Sequence, residues 1–170
     1  RLRSIGVPEE SRIAQARRCR GYRGRRRTVS FASVIMAFLW DRHGTLSMTG
    51  RVREVSLGAG SAPHGVIVGP DGAPWITDGG LNAIVRVDPR TRRVRRFPLP
   101  AAAADANLNT ATFDRRGVLW FTGQQGIIGR LDPKVGRVRV FSAPRGEGPY
   151  GITTTPRGAV YFASLAGSYV

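Results

Sequence analysis

Apolar residues between positions 65 and 164 fall in short runs, each closed by glycine, proline or aspartate. Runs of about five residues bounded by turn formers predict β-strands rather than helices. The first group predicts four strands, at 65–69, 73–77, 83–87 and 94–99. Between the first two, Pro70, Asp71 and Gly72 supply the preset φ and the positive φ that a tight reversal needs. After the third, Asp88 and Pro89 open another turn, because proline cannot donate to a ladder.

The pattern repeats. The stretch GVIVGPDGAPWITD (65–78) returns as TATFDRRGVLWFTG (110–123) and again as GITTTPRGAVYFAS (151–164). The later part of the unit returns too: IVRVDP (84–89) matches IGRLDP (128–133), and RVRRFP (93–98) matches RVRVFS (137–142), with an earlier copy, RVREVS, at 51–56. Four-stranded antiparallel units with a period of about 40–45 residues mark the blades of a β-propeller. A β-sandwich would not need identical units. The expected fold is therefore all-β: a partial propeller of about three blades, the last one incomplete, with an irregular basic N-terminal segment.

The expected division is a basic segment at 1–30, a shortened blade remnant at 31–57, blades at 58–100 and 101–144, and half a blade at 145–170. Propellers close with about 4–8 blades, so this chain predicts an open arc with unpaired edges. Its first residue is Arg and its last unit stops after the second strand, which fits an expectation that further blades complete the ring.

Charge changes this picture only at the N-terminus. The chain has 27 Lys and Arg against 11 Asp and Glu, a net charge of +16, and Lys134 is the only lysine. Residues 1–27 hold +8 of that total and fit no blade; they read as a disordered tail or as sequence from another reading frame. The arginines at 90–96 and 137–139 read as solvated faces of fourth strands, and neither group points to nucleic acid as a specific partner. The lone Cys19 excludes an internal disulfide and a CxxC redox pair. The longest apolar run, 31–40, is too short to span a membrane. It follows three arginines in the manner of an export signal but lacks a small-residue cleavage site, so cytoplasmic and exported locations both stay open.

In such a blade the start of the first strand and the end of the second lie at the same end, and the first strand lines the central channel. The residues before the first strand are His64, Asn109 and Tyr150; those just after the second are Asp78, Gly123 and Ser164. They vary on a repeating frame, as a binding face would. Trp75, Trp120 and Tyr161, together with Phe97 and Phe141, recur as expected packing between blades, while Asp88 and Asp132 read as turn residues.

The blocks PHGV (63–66), WITD (75–78), WFT (120–122) and PYGI (149–152) resemble the virginiamycin B lyases, also called streptogramin lyases, over residues 50–170. The resemblance implies a seven-bladed propeller. It implies an activity that linearises streptogramin B antibiotics by breaking the ester of a cyclic depsipeptide through a Mg²⁺-assisted elimination. It makes His64 the general base, since a neutral imidazole can take the proton next to a carbonyl. It makes Asp78 the Mg²⁺ ligand and places Asn109, Gln124, Tyr150 and Ser164 around a small-molecule or cyclic-peptide ligand at the channel mouth.

The chain departs from the family pattern at two places. Ala62 stands where the lyases carry an acid, and His43, the only other histidine, follows Trp40 instead of preceding a first strand. The residues taken alone leave other readings open: His64 as a loop hydrogen-bonding residue, and Asp78, ahead of Gly79 and Gly80, as a turn-forming aspartate. For the protein, a noncatalytic ligand- or protein-binding propeller is the alternative to a lyase. Metal-dependent lactone hydrolysis would need several acids converging on the channel, and only Asp78 is so placed.

Overall fold

A computed structural model of the chain describes residues 42–46 and 52–170, with side chains from residue 53 onward. The basic segment 1–30, Cys19 and the apolar run 31–40 lie outside the described residues. The architecture is all-β. Strands β1 (Arg42–Leu46) and β2 (Val52–Ser56) form an antiparallel hairpin. Strands β3 (Pro63–Val68), β4 (Pro74–Asp78), β5 (Ala83–Val87) and β6 (Val94–Pro98) form a four-stranded meander, the first blade. A 3-10 turn at Ala101–Ala103 leads into the second blade, β7 (Leu108–Phe113), β8 (Leu119–Gly123), β9 (Ile127–Asp132) and β10 (Arg137–Ser142). A third unit has two strands, β11 (Pro149–Thr154) and β12 (Val160–Ser164).

The turns form where the sequence places them. Gly72, Gly117 and Gly158, at one repeat position, have φ of 72°, 77° and 88°, a region in which a side chain costs energy. Asp88 accepts the amides of Arg90 and Thr91 at 3.0 and 2.7 Å, and Asp132 accepts that of Lys134 at 3.0 Å.

Strand alternation gives each blade two apolar faces. From the first blade, Trp75, Ile84 and Phe97 turn toward the second, where Leu119, Phe121 and Leu131 meet them in one buried cluster. On its other face Ile76, Val85 and Val87 pack under Leu57, the residue after β2. The indole of Trp75 stacks on Phe97 with centroids 5.5 Å apart, and Arg86 lies over its ring. Its N–H is held by Asp71 at 3.0 Å, as that of Trp120 is held by Asp114 at 3.0 Å.

The interblade packing expected of all the repeated aromatics holds only in part. Phe97 is 4 % exposed but Phe141 is 48 %, and Trp75 is 3 % exposed but Tyr161 is 51 %. Phe97 packs in the cluster shared with the four-stranded second blade, whereas the unit that follows Phe141 has two strands among the described residues, which supply no further strand over Tyr161.

Candidate functional site

The inner strands β3, β7 and β11 lie side by side, β7 packing against both of the others. Each opens with an irregularity in its ladder: register shifts between Pro63 and Gly65, between Leu108 and Ala111, and between Pro149 and Ile152. A bulge releases its residues from regular pairing and re-aims their side chains. His64, Asn109 and Tyr150 sit in these three bulges. The recurrence of bulges was not visible in the sequence, which marked the positions only by their variability.

Two threonines pin this row. The Thr77 hydroxyl accepts the Gly65 amide at 2.9 Å and donates to the Asn109 carbonyl of the next blade. One repeat later the Thr122 hydroxyl accepts the Thr110 amide at 3.3 Å and donates to the Tyr150 carbonyl. The close approach leaves no space at Gly65, where a Cβ would lie 2.5 Å from the Asn109 carbonyl oxygen. These positioning residues were missed as site elements. Their signal was the threonine that WIT and WFT share, which the third unit replaces with Ala163.

The rings of His64 and Tyr150 meet edge to face, centroids 5.9 Å apart and planes at 89°, although one strand separates theirs. Asn109, on that intervening strand, is 1 % exposed. Two polar atoms here are buried without a hydrogen-bond partner, Nδ1 of His64 and Oδ1 of Asn109. Buried polar atoms are nearly always paired, so two orphans in one row are unusual.

The remaining expected site residues are engaged in loops. Asp78 is buried, with Oδ2 accepting the Ser61 hydroxyl and Oδ1 accepting the amides of Ala62 at 2.8 Å and Leu81 at 3.0 Å. Ser164, the third unit's counterpart, accepts the Gly167 amide at 3.0 Å and donates to the Glu147 carbonyl at 3.4 Å. Gln124 accepts the Asn107 side-chain amide at 2.8 Å.

A Mg²⁺ ion does not fit these residues. It requires several hard oxygen ligands, and both Asp78 oxygens already face protein donors. Among the described residues no three His, Cys, Asp or Glu side chains come together as a metal-binding group.

The model of the virginiamycin B lyase family matches residues 36–170. The chain belongs to that family. Among solved structures it is similar to catalytically inactive virginiamycin B lyase from Staphylococcus aureus with quinupristin, at 29 % identity and a TM-score of 0.68, covering 75 % of this chain and 43 % of that one. It is similar to a streptogramin B lyase at 30 % identity and a TM-score of 0.63, covering 73 % and 41 %. Hydrazine synthase from Kuenenia stuttgartiensis, at 15 % identity and a TM-score of 0.57 over 75 % and 41 %, shares the fold alone. No curated protein matches the sequence. The chain thus spans under half the length of the lyases it resembles. No helix among the described residues is long and apolar enough to cross a membrane.

Proposed function

We propose that this chain forms part of a streptogramin B lyase-like propeller, with His64 as the base that opens a cyclic depsipeptide lactone. The supporting observation is the placement of His64 in a bulge at the start of an inner strand, within the PHGV block of a virginiamycin B lyase family member. In the elimination, the neutral imidazole takes the proton next to a carbonyl. The C–H electron pair becomes a C=C bond, the adjacent C–O bond of the ester breaks, and the carboxylate leaves. Tyr150 fixes one side of the imidazole by its edge contact, and Thr77 and Thr122 hold the neighbouring strand starts. Mg²⁺ has no step here, because its expected ligand Asp78 is committed to Ser61, Ala62 and Leu81.

The test incubates a streptogramin B with a longer product that carries residues 36–170 together with blades that close the ring. The expected product has unchanged mass and altered chromatographic retention, and it disappears with His64→Ala. A gain of one water would indicate hydrolysis instead. The 170-residue chain alone is expected to bind without turnover. A second reading, a noncatalytic ligand-binding propeller, is favoured by one observation: Ala62 and the saturated Asp78 leave no acid free at this end of the blade. Binding of the antibiotic by the closed ring with no product would establish it over the lyase.

A further inference from the structure

We infer that the 170-residue chain associates with a second copy of itself by exchanging strands, the hairpin of β1 and β2 in each copy completing the blade begun by β11 and β12 of the other. Among the described residues these two units are complementary halves of one blade. Both four-stranded blades pair their strands in chain order, so β11 and β12 are a first and a second strand. The hairpin supplies a third and a fourth: RVREVS (51–56) repeats the fourth strands, and Val55, the counterpart of Phe97, packs against the cluster of Ile76, Val85 and Val87 in the blade that follows. A two-stranded sheet is marginal alone, and an open strand edge is a template for another strand.

The register shows that the halves fit. In the second blade Phe121 pairs with Gly129, and its ring covers the glycine so closely that a Cβ there would lie 2.0 Å away. In the first blade the same two positions are Ile76 and Val85, both buried. A phenylalanine on the second strand thus goes with a glycine on the third. β12 carries Phe162 at this position, where YFAS aligns with WFTG. β1 carries Gly44, which pairs with Glu54 two residues before the end of β2, as Gly129 pairs with Val140 two residues before the end of β10. In the common register Phe162 meets Gly44, Tyr161 meets Thr45 and Val160 meets Leu46.

The exposed aromatics lie where this blade would form. Tyr161 is 51 % exposed and Phe141 48 %. Phe97, the counterpart of Phe141, is buried in a cluster with Leu119, Phe121 and Leu131 of the next blade, whose counterparts in the joined blade are Val160, Phe162 and Leu46. Tyr169 takes the first place on the β12 edge, bridged to Ser164 with its ring against Phe162. The incoming strand exchanges that single bridge for a ladder. The described residues of each copy supply two four-stranded blades and two halves, so reciprocal exchange between two copies closes a ring of about six blades, within the range of about 4–8 that propellers use. In dilute solution, where single copies prevail, Phe141 stays half exposed.

The experiment follows the 170-residue chain by sedimentation equilibrium over a range of concentrations, with twice the mass of one chain expected at the upper end. Gly44→Val is expected to weaken association by about tenfold or more, through overpacking against Phe162. Adding Phe162→Ile, which recreates the pair of Ile76 and Val85, is expected to restore it. In a Cys19→Ser background, chains with Thr45→Cys are mixed with chains with Tyr161→Cys and oxidised. A disulfide-linked dimer of one chain of each kind is expected, because directly paired positions lie within disulfide reach.

The mass of one chain at every concentration, association of Gly44→Val as tight as that of the unmodified chain, or a mixture without the mixed cross-link would overturn the proposal. The cross-link leaves Gly44 and Phe162 in place, so it decides the matter even where Gly44→Val fails to fold. Association is read without substrate and stands apart from the lyase reading.

Discussion

Gly65 and Gly151 occupy the same place in their repeats and meet opposite surroundings. At Gly65 a Cβ would strike the Asn109 carbonyl and the Thr77 hydroxyl, whereas at Gly151 nothing lies within 4 Å. The same contrast runs through the two units. The first blade has Leu57 on one face and the second blade on the other; the third unit has two strands, with Tyr161 and Leu165 exposed. A blade position therefore acquires its packing from its neighbour, and among the described residues only the seam between the first two blades is built from two four-stranded blades. The candidate site draws on both conditions, because His64 and Asn109 start strands of that seam while Tyr150 belongs to the open unit.

The largest expected effect is at the repeated phenylalanines. Phe97→Ala should cost about 3–5 kcal/mol in denaturant unfolding, because its ring is buried against Trp75. Phe141→Ala, half exposed, should cost well under half as much. Equal losses would mean that Phe141 is covered in solution. Next is the glycine pair: Gly65→Ala should destabilise by about 1–3 kcal/mol through overpacking, and Gly151→Ala by no more than about 0.5 kcal/mol. Removing a pin is comparable or smaller. Thr77→Val keeps the shape but leaves the Gly65 amide and Asn109 carbonyl short of a partner, at about 1–3 kcal/mol. Ala163→Val in the third unit, where there is no pin to lose, should change stability little.

The smallest effect concerns pH. For Asp71, burial raises the carboxyl's pKa, but the Trp75 N–H, the Arg86 guanidinium and the Ala73 amide together outweigh it and hold it below the ordinary value. For Asp114 burial again pulls upward and is outweighed by the Trp120 N–H, the amides of Val118 and Arg116, and the charge of Arg116. A lowered folded-state pKa means stability that is present above the unfolded value, about 3.9, and lost as pH falls through the folded one. Thermal unfolding followed from neutral pH downward should therefore stay level until about pH 4–5 and then decline. Replacing either aspartate with Asn should flatten that decline.

Much of the fold was legible because repetition shows directly in a sequence. WITD, WFTG and YFAS align by eye, and the observed β4, β8 and β12 fall on them. The three positions of the row His64, Asn109 and Tyr150 were legible for the same reason. Their bulges were not, since a register shift depends on both strands of a ladder and no residue type announces it. The pins at Thr77 and Thr122 were visible as repeated letters, but their acceptors lie on the next blade and only the fold brings them near. Asp78 was legible as a residue at this end of the blade, but its partners were not: Ser61, Ala62 and Leu81, which donate to its oxygens, lie in loops that only the fold brings to it. The exposure of Phe141 and Tyr161 was hidden because a repeat describes each unit as though its neighbours were complete.

The central claim is that three successive units bring His64, Asn109 and Tyr150 into one row, and the ring contact between the first and third tests it most directly. In the labelled 170-residue chain, a nuclear Overhauser effect should connect the imidazole protons of His64 with the ring protons of Tyr150, whose centroids lie 5.9 Å apart. It should persist in EDTA. Assigned spectra with no such cross-peak, and with both rings showing solvent-exposed shifts, would contradict the account.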